Sequence, residues 1–335
     1  MKNIFLILSS VIILTACHQK TNEVVVYTSV DQIFSEPVLQ DFEKQSGIKV
    51  KAVFDTEETK STGVLNRLIA ERNYPQADVF WSGDPVRSIV LKDKGITAVY
   101  HSPEANDIPA VFKDPEGYWT GFSARARVLI YNKKHLKPEQ VPQSIFDLTK
   151  PEYKGQVAIA NPLFGTTTFH IAALFTALGD QKAKEFLSSL KHNQVVIATS
   201  NGDVKDRVSK GQLACGLTDT DDAFEAMKEN PDVGMVFLDQ KGKQALGTLI
   251  IPNTLCLIKN SPNTENGKKL IDFLLQKSTE AKLAKLCAQM PLHKSVPTPK
   301  DIPSLDDIIP MHIDYDQTAQ KLLNIQNYLK EWIDN

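Results

Sequence analysis

Leu213-Ala214-Cys215-Gly216-Leu217-Thr218-Asp219-Thr220-Asp221-Asp222-Ala223-Phe224 is the stretch on which the fold turns. It opens as a short apolar run, the pattern of a buried strand. Three carboxylates, Asp219, Asp221 and Asp222, follow within four residues and lead into a helix expected to run to about Glu229. A strand that passes straight into a helix through an acidic turn places those side chains at the carboxyl edge of a sheet, where open α/β folds bind ligands. The alternative is that the acids only cap the helix.

The segments around it repeat the pattern. Upstream, residues 194–198 read as a strand ending in Thr199-Ser200-Asn201-Gly202, and residues 155–160 as one ending at Asn161. Gly165-Thr166-Thr167 then starts a helix expected to reach about Leu178. In the first third, residues 24–27 form a continuous apolar strand, as when both faces of a sheet are covered. That strand ends in Thr28-Ser29-Val30-Asp31. Ser35 is read as the cap of the next helix, with Pro37 in its first turn and Gly47 as its stop. A strand over 48–54 ends in an acidic turn that includes Glu58, and residues 78–81 form a third strand ending at Ser82-Gly83-Asp84. The β-α-β-α-β order predicts parallel strands with right-handed crossovers and polar turns along one edge.

Two segments break the rhythm. Residues 121–132 and 249–258 are long and apolar, and the first carries Arg125 and Arg127. They are read as strands that cross between two lobes. Helices near 264–276 and 279–289 complete the first lobe, and one amphipathic helix over 318–332 closes the chain. The division expected is 23–124 plus 248–335 for the first lobe and 125–247 for the second. This is an α/β, two-lobe fold with a central ligand cleft, and hinge closure is the use of that plan.

The amino end is a different kind of sequence. Lys2 and two apolar runs between residues 4 and 14 make a signal peptide over 1–16, too short to span a membrane as a helix. Leu14-Thr15-Ala16-Cys17 resembles the lipobox of bacterial lipoproteins, which implies lipidation of Cys17 and a tether over 17–22. The mature chain is then anchored by lipid, in the periplasm or at the cell surface. Residues 17–335 are too many for one typical core and suit two lobes. The formal net charge of −2 becomes one unit more negative when Lys2 is removed, too mild a field to suggest a nucleic-acid partner. Cys215, Cys256 and Cys287 are read as buried thiols, with one disulfide possible among them.

Val25-Val26-Tyr27-Thr28-Ser29, Gln76-Ala77-Asp78-Val79-Phe80-Trp81 and the run from Gly121 to Asn132 resemble periplasmic substrate-binding lipoproteins of ABC importers (family 1 extracellular solute-binding proteins), of the ferric-iron-binding branch. The resemblance implies permease and ATPase partners, a monomeric subunit, and Fe³⁺ carried with a bound anion but no organic cofactor. It places metal contacts at Asp31, near Gly83 and Asp84, and at Asp221-Asp222, where iron-binding relatives carry adjacent tyrosines. It places an anion at Gly165-Thr166-Thr167 and Asn201. No Tyr-Tyr pair occurs in this sequence.

Hard cations accept carboxylate oxygens, so Asp31, Asp84, Asp219, Asp221 and Asp222 remain a chemically sensible ligand set. A helix start and Arg125 or Arg127 suit the anion. A zwitterion such as an aminophosphonate fits the same two halves. Thr28, Ser29, Glu58 and Trp81 are further candidate contacts, although Glu58 is equally readable as a solvated turn and Trp81 as a core aromatic. An enzyme of the same fold is the competing class. His170, His192 and His293 lie in separate stretches, with no H-E-x-x-H, G-x-S-x-G or P-loop motif around them.

Overall fold

The computed structural model describes residues 22–55, 63–242 and 245–334. The signal peptide, Cys17 and Glu58 lie outside the described residues. Among these residues no helix is long and apolar enough to cross a membrane.

The first part of the chain alternates β1 (Glu23–Thr28), α1 (Gln32–Ser46), β2 (Lys49–Phe54), α2 (Gly63–Ala70), β3 (Val79–Ser82) and α3 (Pro85–Asp93), followed by the short β4 (Thr97–Ala98). β1 pairs in parallel with β2 on one side and β3 on the other. Their carboxyl ends therefore share one edge, as the β-α-β-α-β order predicts. α1 starts at Gln32, three residues before Ser35. Ser35 is not the cap; its hydroxyl bonds back to the carbonyls of Val30 and Asp31. Asp31 holds the N-cap position without capping through its side chain, and Gly47 ends the helix at φ 68°.

The second part holds β5 (Thr120–Asn132), β6 (Val157–Ala160), α4 (Gly165–Leu178), α5 (Asp180–His192), β7 (Val196–Ala198), α6 (Asn201–Ser209), β8 (Cys215–Asp219), α7 (Thr220–Glu229) and β9 (Val233–Val236). β10 (Ile250–Ile258), α8 (Thr264–Leu274), α9 (Lys277–Cys287), α10 (Tyr315–Asn324) and α11 (Gln326–Asp334) complete the chain. The strands run β2-β1-β3-β10-β5-β8-β6-β7, with β4 beside β10 and β9 beside β5. β5 joins the two halves. Up to Ala126 it pairs with β10, and from Arg127 onward with β8. The change of partner falls between Ala126 and Arg127.

Both crossing strands are irregular at the same height. Ser123 in β5 has φ 47°, and the register of β10 shifts between Pro252 and Asn253. The Asn253 amide donates to the Ser123 carbonyl, and Glu280 of α9 accepts from the Ser123 N–H at 2.6 Å. Glu280 also accepts from the His293 backbone and ring, and all of these groups are buried.

The tail departs from the expected division. The helix expected over 318–332 is two helices, α10 and α11, separated at Ile325. α10 packs on both α3 and α4. Trp332 donates to the Leu187 carbonyl at 3.1 Å, and Lys321 pairs with Asp180 at 2.7 Å. Residues 315–334 therefore brace the second lobe as well as the first. Their apolar faces, with Leu322, Leu329 and Trp332 buried, have nowhere else to go. Cys215, Cys256 and Cys287 are buried free thiols, so no disulfide joins them. Burial pushes the Cys215 and Cys256 thiols up to about 12, which keeps them protonated and inert.

Candidate functional site

The strand ends of the two halves face a cleft of about 750 Å³. From the first half come Ser29 and Asp31 after β1, Asp55 after β2, and Gly83 and Asp84 after β3. From the second come Asn161 and Phe164 before α4, Gly165, Thr166 and Thr167 in its first turn, Asn201 at the start of α6, and the acidic turn after β8. Arg125 projects into the cleft from the crossing strand.

The acidic turn does not behave as a set of helix caps. Asp219 holds the N-cap position of α7, yet its side chain makes no cap bond. It turns instead to Arg127, whose Nη1 lies 2.7 Å from Oδ1. The Thr166 hydroxyl and the Asn201 amide donate to Oδ2 at 2.8 and 3.2 Å. Arg127 Nη1 also donates to Thr166 Oγ1 and Asn201 Oδ1. Burial works against the Asp219 charge, but Arg127 and Arg125 outweigh it and hold the carboxyl below its usual range. The result is a buried polar floor that pins the ends of α4, α6 and β8 together.

Asp221 and Asp222 stand above that floor. Carboxylate oxygens of Asp219, Asp221 and Asp222 lie within 4.8 Å of one another, the spacing of groups that share a cation. Thr218 Oγ1 donates to Asp222 at 2.9 Å. Asp221 faces Arg125 at 3.6 Å. Burial, with Asp219 and Asp31 nearby, pushes Asp221 up to about 6 despite that partner. Arg125 also donates from Nη2 to the Gly83 carbonyl, so it touches both halves of the molecule. Burial works against its charge, but Asp221, Asp219, Asp31 and Asp222 overcome it and hold its pKa above the ordinary value.

Gly165, Thr166 and Thr167 form the first turn of α4, as the sequence predicts, and Phe164 at the N-cap makes no side-chain bond. The N–H groups of that turn carry the positive end of the helix dipole. The Thr166 and Thr167 hydroxyls are already turned toward Arg127, Asp219 and Asn201.

Three candidates are engaged otherwise: Asp84 lines the cleft but is taken up by its own helix, and Trp81 and Thr28 are fully buried. Asp84 caps α3 through Oδ1 and pairs with Arg87 through Oδ2 at 3.1 Å, so its buried carboxylate is spent within its own helix. Trp81 is fully buried against Phe122, with ring centroids 5.6 Å apart, and is a core aromatic behind the cleft. Thr28 is fully buried, and its hydroxyl accepts from the Val30 N–H, shaping the turn that presents Ser29 and Asp31. Ser29 in turn accepts from the Gly83 N–H at 3.0 Å and joins two of the turns. The sequence reading missed Asp55, Glu225 and Phe164 on the walls. Asp55 ends a strand beside an acidic turn, which was the available signal. Glu225 lies one helical turn beyond Asp221 and was equally visible by spacing.

Two α/β lobes on crossing strands, with charged strand ends gathered in the cleft between them, define a solute-binding protein. The profile of the family described as bacterial extracellular solute-binding protein matches residues 38–308, and the chain belongs to that family. It is 28% identical over 298 residues to "Iron uptake protein A1" of Synechocystis sp., covering 85% of this chain and 80% of that one. It is 30% identical over 264 residues to a Salmonella typhimurium protein described as "Putative 2-aminoethylphosphonate-binding periplasmic protein", covering 78% and 74% of the two chains. Among solved structures it resembles the apo ferric ion-binding protein A of Pasteurella haemolytica, with a TM-score of 0.83 at 24% identity over 93% of this chain and 98% of that one.

Proposed function

We propose that this chain is the extracytoplasmic capture subunit of an ABC importer, and that its cargo is ferric iron held together with an anion. The observation that carries the proposal is the gathering of Asp219, Asp221 and Asp222 in the cleft. Such carboxylates repel one another, and a hard trivalent cation relieves the repulsion. The first turn of α4 is the place for the anion. The iron-named relatives support the cargo, and the family supports the capture role. Delivery then goes to permease and ATPase subunits, by a monomer that performs no chemistry on its cargo.

A second reading is favoured by the close approach of Arg125 to Asp221, which sets a cation and an anion side by side. A zwitterion such as 2-aminoethylphosphonate would match it, amine on the acids and acidic group at Arg125 and α4. One experiment separates the two. The purified domain is weighed under native and denaturing conditions, and then titrated by calorimetry with ferric citrate, divalent metals and 2-aminoethylphosphonate. Iron in the mass difference and a ferric isotherm support the first reading. Binding of the zwitterion with no metal binding overturns it. A turnover screen of the same sample tests the non-enzymatic role.

The Leu14–Cys17 tetrad supports a lipid anchor. Cys17→Ala should release the protein from the membrane fraction. A variant that stays membrane-bound, with no lipid mass on Cys17 of the parent, ends that reading.

A further inference from the structure

The two arginines of β5 are held in different ways. Arg127 sits in a closed network: its Nη1 is 2.7 Å from Asp219 and also meets Thr166 and Asn201. Arg125 has no carboxylate hydrogen-bonded to it among the described residues. Among the described residues its nearest carboxylate, Asp221, is 3.6 Å away, beyond hydrogen-bond reach, and its Nη2 donates to the Gly83 carbonyl across the cleft. The Nε of each arginine is buried without a hydrogen-bond partner among the described residues, so the two differ only at their terminal nitrogens. Space for the guanidinium depends on Gly83, where an added Cβ would stand 3.2 Å from Arg125 Nη2. The carboxylates that act on it, Asp221, Asp219, Asp31 and Asp222, come from both lobes. Arg125 is thus a cation standing among the acids to which a cationic cargo must bind.

We infer that Arg125 is a specificity-determining residue: it is a resident counter-ion for Asp221 that cargo must displace, and it bars mono- and divalent cations from the cleft. This inference rests on the cation reading given above. A cation entering beside Asp221 meets the repulsion of a guanidinium within a few ångströms, in a site screened from water. A weakly charged ion does not recover that cost. A trivalent ion gains more from each carboxylate, and an anion brought with it gives the released guanidinium a new partner. Arg125 gives up one carbonyl bond and a 3.6 Å ion pair when it moves, whereas Arg127 is tied to Asp219, Thr166 and Asn201 and stays fixed.

The test uses the mature chain and three forms: the parent, Arg125→Gln and Arg125→Lys. Manganese(II) and calcium(II) chlorides are the probes, read by calorimetry, with ferric citrate run in parallel. A unit charge at this range is worth well over a factor of ten for a divalent ion, even at an effective dielectric of about 20. Arg125→Gln should therefore bind manganese at least about tenfold more tightly than the parent. Arg125→Lys, which keeps the charge, should stay close to the parent. Manganese binding no tighter in Arg125→Gln overturns the inference, and so does a Lys variant that matches the Gln variant. Should Arg125→Gln fail to fold, the parent serves: with nitrogen-15 arginine and gallium(III) citrate as a diamagnetic trivalent probe, the Arg125 side-chain signal should shift while that of Arg127 stays. An unchanged Arg125 signal at saturation overturns it. A parent that ignores iron and gallium but binds 2-aminoethylphosphonate ends the iron reading alone, because the manganese comparison between variants stands separately.

Discussion

Arg127 and Asp219 are register partners on the neighbouring antiparallel strands β5 and β8, and their side chains meet at 2.7 Å on the cleft side of that pair. The pair lies one residue past the point where β5 changes partner from β10 to β8. A cross-strand ion pair there fixes the register of β8 and, through Thr166 and Asn201, the starts of two helices. Removing one member leaves a buried charge uncompensated, at a cost of about 3–5 kcal/mol. Asp219→Asn or Arg127→Met should therefore lower the stability measured by urea unfolding by that order. Replacing both together should cost less than the sum of the single changes. Additive losses would mean that the two side chains do not act as a unit.

Asp221 predicts a pH dependence of opposite sign to that of an ordinary surface carboxylate. Its pKa is raised from 3.8 to about 6 by burial and by neighbouring acids. Between those values the folded chain holds a proton that the unfolded chain has released. The stability contributed by this group is full below about pH 4 and declines as pH rises through 6. Cation binding needs the ionised form, so affinity should climb over the same window and level off above it. Melting curves of the metal-free chain at pH 4.5 and 7.5, with Asp221→Asn as the comparison, isolate the effect. Parallel trends in the two proteins would remove Asp221 as its source.

His170 acts in the other direction. Burial, reinforced by Arg127, lowers it from 6.5 to about 3, so it stays neutral behind the polar floor. Its contribution is present above pH 6.5 and is lost as pH falls toward 3. His170→Gln should reduce the acid sensitivity of the unfolding midpoint below pH 6.

Much of this arrangement was legible in the sequence, because strand ends and helix starts are local signals. The acidic turn after β8, the Gly165-Thr166-Thr167 start of α4 and the two long crossing strands all read directly from pattern. Partner choice was not legible. Nothing in the chain order says that Asp219 turns to Arg127 instead of capping α7, or that Asp84 pairs with the arginine three residues on. Trp81 could wall a cleft or fill a core by composition alone, and packing against Phe122 decides it. The tail failed for a related reason. An amphipathic helix announces an apolar face but not the surface that covers it, and α10 covers α3 and α4 together.

Ser123 offers a test of the crossing strands as a hinge. A non-glycine residue at φ 47° is costly, and here it is held by Glu280 and Asn253. Ser123→Gly should be neutral or stabilising by up to about 1 kcal/mol, whereas Ser123→Val should destabilise by more than that. Closure itself is read by small-angle scattering, in which saturating ligand should reduce the radius of gyration of the parent. A radius that does not change at saturation would describe a rigid scaffold.

The sharpest test concerns the chemistry of the acidic turn. The positions at which iron-binding relatives are expected to carry adjacent tyrosines are Asp221 and Asp222 here, and no tyrosine is found among the described residues that line the cleft. Phenolate ligands give iron(III) a visible charge-transfer colour, and carboxylates do not. The iron-loaded protein should therefore lack that band. Each carboxylate removed from a cluster that pairs with its ligand should cost about 2–5 kcal/mol of binding, roughly 30-fold or more in affinity. Asp221→Ala and Asp222→Ala should both show that loss in titration calorimetry, while Glu229→Ala, at the far end of α7, should bind as the parent does. The two variants should not lose affinity equally, because Asp221 must also part from Arg125 whereas Asp222 is oriented by Thr218. Asp222→Ala removes a ligand already positioned, so its loss should be the larger. If both variants bind as tightly as the parent, the turn after β8 does not hold the cargo, and the ligand contacts must be sought at Asp31 and Asp55 on the opposite wall.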